Sequence, residues 1–296
     1  MTRRRQSAIS PRQDAEAPAR AGTYLDRIMP AVRRRLEERK SLLPLAELRA
    51  MHARASRPSF AEAIRAPGLS LIAEVKRASP SKGPIRPDLD VAQLVAAYEA
   101  AGARAISVLT EQDHFGGSLD DLRVAALHTT LPLLRKDFVV DPYQVHEARV
   151  FGASALLLIA ALLTDAQLLR LTGLAFELGL DVLLEVHDHA EMSRALAIHG
   201  VVVGINNRDL SSFEVSLDTA VHLAGLVPPD RSLVGESGIR EHADVERLAA
   251  AGVDGVLVGE TIVRNPDPGA AIRALMHPLP SVEMRKIGYS QTKEAR

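Results

Sequence analysis

DVLLEVHDHAEMSRALAIHGVVVGIN, residues 181–206, reads as one complete repeat of the chain. The apolar run DVLLEV (181–186) is a buried strand that carries Glu185 near its end. Asp188 then stands three residues before Glu191, the spacing of a reciprocal helix cap. His199-Gly200 ends the helix, because glycine takes the left-handed conformation that closes one. A second run, VVVGIN (201–206), follows and finishes on Asn206. The order is strand, helix, strand.

Outward from this unit the same texture recurs. Apolar runs occur at LIAEVK (71–76), AISVLT (105–110), LLRKDF (133–138), ALLLIA (155–160), SLVGES (232–237) and GVLVGE (255–260). Glycines at 102, 152, 179 and 252 precede further runs, and Thr164 with Gln167 repeats the cap spacing. Near-continuous apolar strands separated by amphipathic helices mean a parallel sheet covered by helices. Eight such units favour α/β architecture of the closed (β/α)8 TIM-barrel kind over an open doubly wound sheet. The open sheet usually carries GxGxxG after its first strand or GxxxxGK[ST], and neither is present.

Before the barrel, residues 22–40 place Leu25, Ile28, Met29, Val32 and Leu36 on one helical stripe. Pro44 opens a second helix to about Arg54, and Ser59 caps a third at Phe60–Arg65. The run Arg33–Arg35, flanked by Glu37 and Glu38, reads as a solvated helix face. The expected organisation is a disordered tail over 1–20, a single barrel domain with its helical extension over 21–277, and a loose tail over 278–296.

The chain has 296 residues, 47% of them apolar, a formal net charge of −1 and no cysteine. The length suits a barrel of roughly 250 residues plus an extension. Without cysteine there is no disulfide, thiolate metal site or thiol nucleophile. Near-neutral charge argues against a nucleic-acid partner. The longest apolar run, 155–163, falls short of the roughly 20 residues that span a membrane. The expectation is a cytoplasmic protein with no membrane and no nucleic-acid partner.

In a (β/α)8 barrel the chemistry sits at the C-terminal strand ends. Here those ends carry Glu74, Lys76, Lys136, Glu185, Asn206, Glu236 with Ser237, and Glu260. Residues two apart on a strand share a face, so Glu74 joins Lys76, Leu134 joins Lys136, and Leu183 joins Glu185. With the apolar partners inward, the ionisable groups ring the mouth. Burying so many charges costs several kcal/mol each unless they are paired. Lysines and glutamates in one desolvated cup are general acids and bases, or a lysine forms a Schiff base; spacing does not separate the two. GESGI (235–239) and VGETIV (258–263) put glycines and hydroxyls where barrels bind phosphate.

The run AEVKRASPSKG (73–83) resembles the signature of the indole-3-glycerol-phosphate synthase family. The likeness continues through SVLTEQDHFGGS (107–118), LRKDFVVDPYQ (134–144), LLEVHD (183–188), GINNRDL (204–210), GESGI and LVGETIVRNPDP (257–268). It implies the decarboxylating, dehydrating ring closure of 1-(2-carboxyphenylamino)-1-deoxyribulose 5-phosphate to indole-3-glycerol phosphate, without metal or organic cofactor. By this resemblance Lys136 is the general acid on the ketone oxygen and Glu185 the general base. Lys76 holds the departing carboxylate and serves as a second acid, Glu74 orients the lysines and Asn206 positions the hydroxylated chain. Phe115 and Phe138 match positions that cradle the anthranilate ring. Ser79 and Arg208 match the carboxylate end. Glu236, Ser237, Gly238, Leu257, Gly259, Glu260 and Thr261 are the remaining substrate-binding positions, most of them toward the phosphate. A carboxylate repels a phosphate dianion, so the Glu260 backbone N–H is the group expected to face it, with the Thr261 hydroxyl in addition. His187, Asp188 and His189 read as a strand end and helix cap, not as metal ligands.

The expected partner is the phosphorylated substrate alone, met by a monomer or weak homodimer. Phosphoribosylanthranilate isomerase, a related phosphate-binding barrel, relies as a family on a cysteine base that is absent here. A catalytically dead barrel that only binds phosphate is a third reading, and the intact set of Glu74, Lys76, Lys136, Glu185 and Asn206 speaks against it.

Overall fold

The computed structural model describes residues 24–51 and 57–277. The tails expected at 1–20 and 278–296 lie outside these residues. Eight strands close a barrel: β1 (Ser70–Val75), β2 (Ala105–Leu109), β3 (Leu133–Lys136), β4 (Ala155–Ile159), β5 (Asp181–Val186), β6 (Val202–Asn206), β7 (Leu233–Glu236) and β8 (Gly255–Val258). Every neighbouring pair is parallel, and β8 returns to β1 with Ser70 opposite Gly255. The (β/α)8 expectation is met.

Alternation along each strand divides the core into two layers. Ile72, Ala105, Leu134, Leu157, Leu183, Val202, Val234 and Leu257 fill the barrel interior. Their alternates, among them Leu71, Ile106, Leu133, Leu156 and Leu184, pack outward beneath the helices. The glycines that close the helices before five strands, 102, 152, 179, 200 and 252, all have φ between +70° and +93°.

Three helices precede the barrel: α1 (Tyr24–Leu42), α2 (Leu45–Ala50) and α3 (Phe60–Arg65). In α1 the expected stripe is buried at Leu25, Ile28, Val32 and Leu36. The second helix stops at Ala50, earlier than expected; residues 52–56 lie outside the described set. Ser59 caps α3, accepting from the Glu62 N–H at 3.1 Å, and donates to Asp181 at the start of β5, 2.8 Å away. Phe60 and Ile64 thereby join the interior cluster at the N-terminal end of the barrel. The opposite rim is held by α1. Its Tyr24 N–H donates to the Leu210 carbonyl after β6, 3.2 Å away, and Arg35 pairs with Asp113 after β2 at 2.9 Å. The arginine run is therefore not simply solvated: two of its members, Arg34 and Arg35, tie the extension to a loop at the mouth.

The two cap expectations diverge. Thr164 and Gln167 form the reciprocal box at the start of the helix Asp165–Glu177. Asp188 does accept from the Glu191 N–H at 2.9 Å. The Glu191 carboxylate, however, turns to His187, taking its backbone N–H at 2.9 Å and lying 3.0 Å from Nδ1.

Candidate active site

Parallel strands that all point one way deliver their last inward residues to one mouth. Glu74, Lys76, Lys136, Glu185, Asn206 and Glu236 meet there. Lys76 Nζ lies 2.8 Å from Glu74 Oε1. Lys136 Nζ lies 3.3 Å from Glu185 Oε2 and 3.3 Å from Glu236 Oε2. Asn206 Nδ2 donates to Glu185 Oε1 at 3.1 Å, while its Oδ1 accepts from the Arg208 N–H. The carboxylates of Glu74, Glu185 and Glu236 belong to residues at most 3% exposed.

Burial of this cluster shapes its charges. Burial alone would lower the Lys136 pKa, but Glu236, Glu185 and Glu74 outweigh it and drive the pKa well above the ordinary lysine value. Burial would raise Glu185, yet Lys136, His187 and the Asn206 amide hold it well below the usual carboxylate range. Glu236 lacks such company: burial, with repulsion from Glu185 and Glu74, raises it to about 7 against the pull of Lys136. Lys136, Glu185 and Glu236 thus make a cation, an anion and a carboxyl poised near neutrality, beside the Lys76–Glu74 pair.

Two glycines make room for it. A Cβ on Gly259 would lie 2.5 Å from Glu74 Oε1, so only glycine lets that carboxylate approach the β8 end. Gly204 plays the same part beside Glu236.

The mouth continues into two cavities. One, about 130 Å³, is lined by Phe115, Phe138, Leu157, Ser79, Lys76 and Arg208. Phe115 and Phe138 stand with ring centroids 6.3 Å apart at 49°, and Lys76 Nζ lies 5.9 Å from the Phe115 centroid. The Ser79 hydroxyl is buried without a hydrogen-bond partner. The other cavity, about 570 Å³, reaches Ser237, Gly238, Leu257, Gly259, Glu260 and Thr261, and adds Ser81, Lys82, Arg240 and Arg264. Ser237 and Gly238 have φ of +65° and +84°, a left-handed pair rare for serine.

The Glu260 carboxylate lies 3.0 Å from Arg264 Nε. Thr261 departs from expectation, because its hydroxyl proton goes to the Ile239 carbonyl at 2.7 Å and is not free for an anion. Glu236, read from sequence as a substrate-binding position, sits in the ion cluster against Lys136. His187 was passed over. Its ring lies between Glu185 and Glu191, and its signal was the two-residue spacing after Glu185 that also joins Glu74 to Lys76. Lys82, Arg240 and Arg264 were missed as well, though Lys82 and Arg264 lie inside quoted motifs and Arg240 adjoins one. Among the described residues no group of three His, Asp or Glu side chains is placed to hold a metal ion. None of the described helices is long and apolar enough to cross a membrane.

A parallel barrel with three carboxylates and two lysines at its C-terminal mouth defines a (β/α)8 enzyme of the acid–base type. The family model described as indole-3-glycerol phosphate synthase matches residues 25–275. An indole-3-glycerol phosphate synthase of Polaromonas sp. is 48% identical over 256 residues, covering 85% of this chain and 97% of the relative. One of Dehalococcoides mccartyi is 47% identical over 246 residues, covering 81% and 95%. The chain belongs to the indole-3-glycerol phosphate synthase family, and is accordingly a carboxy-lyase of tryptophan biosynthesis. More distant solved structures share only the fold. Thiamine phosphate pyrophosphorylase from Pyrococcus furiosus is 17% identical with a TM-score of 0.54, over 70% of this chain and 93% of that one. The 3-hexulose-6-phosphate synthase from Salmonella typhimurium is 12% identical with a TM-score of 0.56, over 70% and 96%.

Proposed function

We propose that the chain closes the indole ring of 1-(2-carboxyphenylamino)-1-deoxyribulose 5-phosphate by proton transfers among Lys136, Glu185 and Lys76. The observation that carries this reading is Lys136, held 3.3 Å from both Glu185 and Glu236 in a buried cup. As the aryl carbon attacks the ketone carbon, the Lys136 ammonium delivers a proton to the ketone oxygen. The carboxylate, held by Lys76, leaves as carbon dioxide and the ring regains aromaticity. Lys76, acting as a second acid, then gives the new hydroxyl the proton with which it departs as water, while Glu185 takes the proton whose loss completes the indole double bond. Glu74 fixes Lys76 through their 2.8 Å pair, and Asn206 orients Glu185 and the hydroxylated chain. Phe115, Phe138, Ser79 and Arg208 receive the aromatic and carboxylate end. Ser237, Gly238, Gly259 and the Glu260 N–H receive the phosphate, with Lys82, Arg240 and Arg264 supplying positive charge.

A Schiff-base role for Lys136 is disfavoured by the same geometry. Three carboxylates keep the amine protonated, and an ammonium has no lone pair to attack a carbonyl. The reaction is read as complete without metal or organic cofactor, in the cytoplasm, by a monomer or weak homodimer. Stoichiometry tests it: in the presence of a chelator, each indole product formed should release one carbon dioxide. Product formation that fails under chelation, or carbon dioxide released without indole, overturns the reading.

A further inference from the structure

We propose that His187 is a positioning residue that decides where the proton of the carboxylate cluster resides, holding Glu185 as the anion and leaving the proton to Glu236. The proposal rests on the reading of Glu185 as base. Its geometry is a clamp. His187 Nε2 lies 3.3 Å from Glu185 Oε1, an ion-pair contact without hydrogen-bond geometry, and Nδ1 lies 3.0 Å from Glu191 Oε2, with the side chain 8% exposed. The His187 N–H donates to that same Glu191 oxygen at 2.9 Å, which fixes the carboxylate against the ring.

The two carboxylates that share Lys136 are otherwise unequal. Glu185 has Lys136, the Asn206 amide and His187 around it. Glu236 has Lys136 at 3.3 Å, and neither of its buried oxygens makes a hydrogen bond of proper geometry. A buried anion needs partners, and the poorer site takes the proton. Without His187 the inequality narrows to the Asn206 amide and the Lys136 hydrogen bond that Glu185 receives.

The ring itself is kept cationic by what faces it. Glu185 approaches from β5 and Glu191 from the helix at His189–Leu196. The cavity of about 430 Å³ beside the ring is lined also by Asp188, Asp209, Glu214 and Arg208. Burial would lower the His187 pKa, but the Glu185 and Glu191 carboxylates raise it to about 10, which agrees with the clamp. An imidazolium here does what a neutral side chain of the same shape would not.

Infrared spectroscopy of the whole chain near neutral pH reads the proton directly, through the carbonyl stretch of a protonated carboxyl. The expected result is a band lost in Glu236→Gln and retained in Glu185→Gln. In a His187→Ala background Glu236→Gln should no longer abolish it, because part of the proton has passed to Glu185. The acid limb of kcat/KM should move up by about one to two pH units in His187→Ala, as a carboxylate losing a cationic neighbour requires. Added imidazole should partly reverse that shift. Should His187→Ala fail to fold, Glu191→Gln removes the outer jaw and must move the limb in the same direction. A band that belongs to Glu185 in the unsubstituted chain, or an unmoved acid limb in a folded variant, overturns the proposal. Failure of the base reading looks different: Glu185→Gln would then keep its activity whatever the band does.

Discussion

Gly204 stands where any side chain would strike Glu236: a Cβ built there lies 2.3 Å from Glu236 Oε1. The glycine inside the apolar run 201–206 is thus a hole in the barrel wall into which a carboxylate fits. Gly204→Ala should push Glu236 away from Lys136 by about 1 Å and lower kcat roughly 100-fold. The overpacking should cost about 1–3 kcal/mol of stability. Steady-state kinetics with a thermal melt checks both, and a folded Gly204→Ala of full activity would remove Glu236 from the working cluster.

Arg135, one residue before Lys136, faces the other way and is fully buried. Its Nη2 lies 2.8 Å from Asp137 and 3.1 Å from Glu147. Its Nη1 donates to the Gln144 carbonyl at 2.7 Å. Arg135→Ala takes the cation from the buried Asp137 carboxylate and leaves Glu147 with Arg39 alone, and should cost about 3–5 kcal/mol in urea unfolding. Arg39 reaches Glu147 from the partly exposed side at 2.7 Å, and Arg39→Ala should cost much less. Equal losses would contradict this division.

Stability should fall as pH rises from about 5 to about 10, by proton linkage. Glu236 is raised to about 7 and His187 to about 10, so in this window the folded chain holds protons that the unfolded chain has released. The Glu236 contribution is lost between its unfolded value and about 7, and the His187 contribution as pH climbs through about 10. Glu185 works the other way: its lowered pKa stabilises above the ordinary carboxylate value and is lost on acidification. Unfolding curves of Glu236→Gln and His187→Gln should each flatten their own part of the slope. An unchanged slope in both would count against the assigned charges.

Arg264 borders the larger cavity and pairs with Glu260 across one helical turn. Arg264→Ala should raise KM for the phosphorylated substrate roughly 10- to 100-fold, the worth of a charge-assisted hydrogen bond, with kcat little changed. A fall in kcat at constant KM would instead assign Arg264 to the reacting end.

The fold was legible because its signals are local: eight apolar runs, five of them reached through a helix that closes on glycine. The convergence of Glu74, Lys76, Lys136 and Glu185 was legible for a similar reason, since two-residue spacing fixes the face of a strand. What sequence did not disclose lies between strands. That Gly204 opens space for Glu236 depends on how β6 and β7 pair, not on either run alone. Glu191 matched a helix-cap spacing, yet an imidazole two residues beyond a strand glutamate competes for it more strongly. The Thr261 hydroxyl likewise went to a carbonyl contributed by the loop after β7, a neighbour that its own motif does not name.

Indole fluorescence after adding 1-(2-carboxyphenylamino)-1-deoxyribulose 5-phosphate, with chelator present, should rise with the unsubstituted chain. In a folded Lys136→Ala the rate should drop by about 10²- to 10⁴-fold, the contribution of a positioned general acid. A folded Lys136→Ala that turns over at the unsubstituted rate, or no rise at all with the unsubstituted chain, would contradict proton delivery from Lys136.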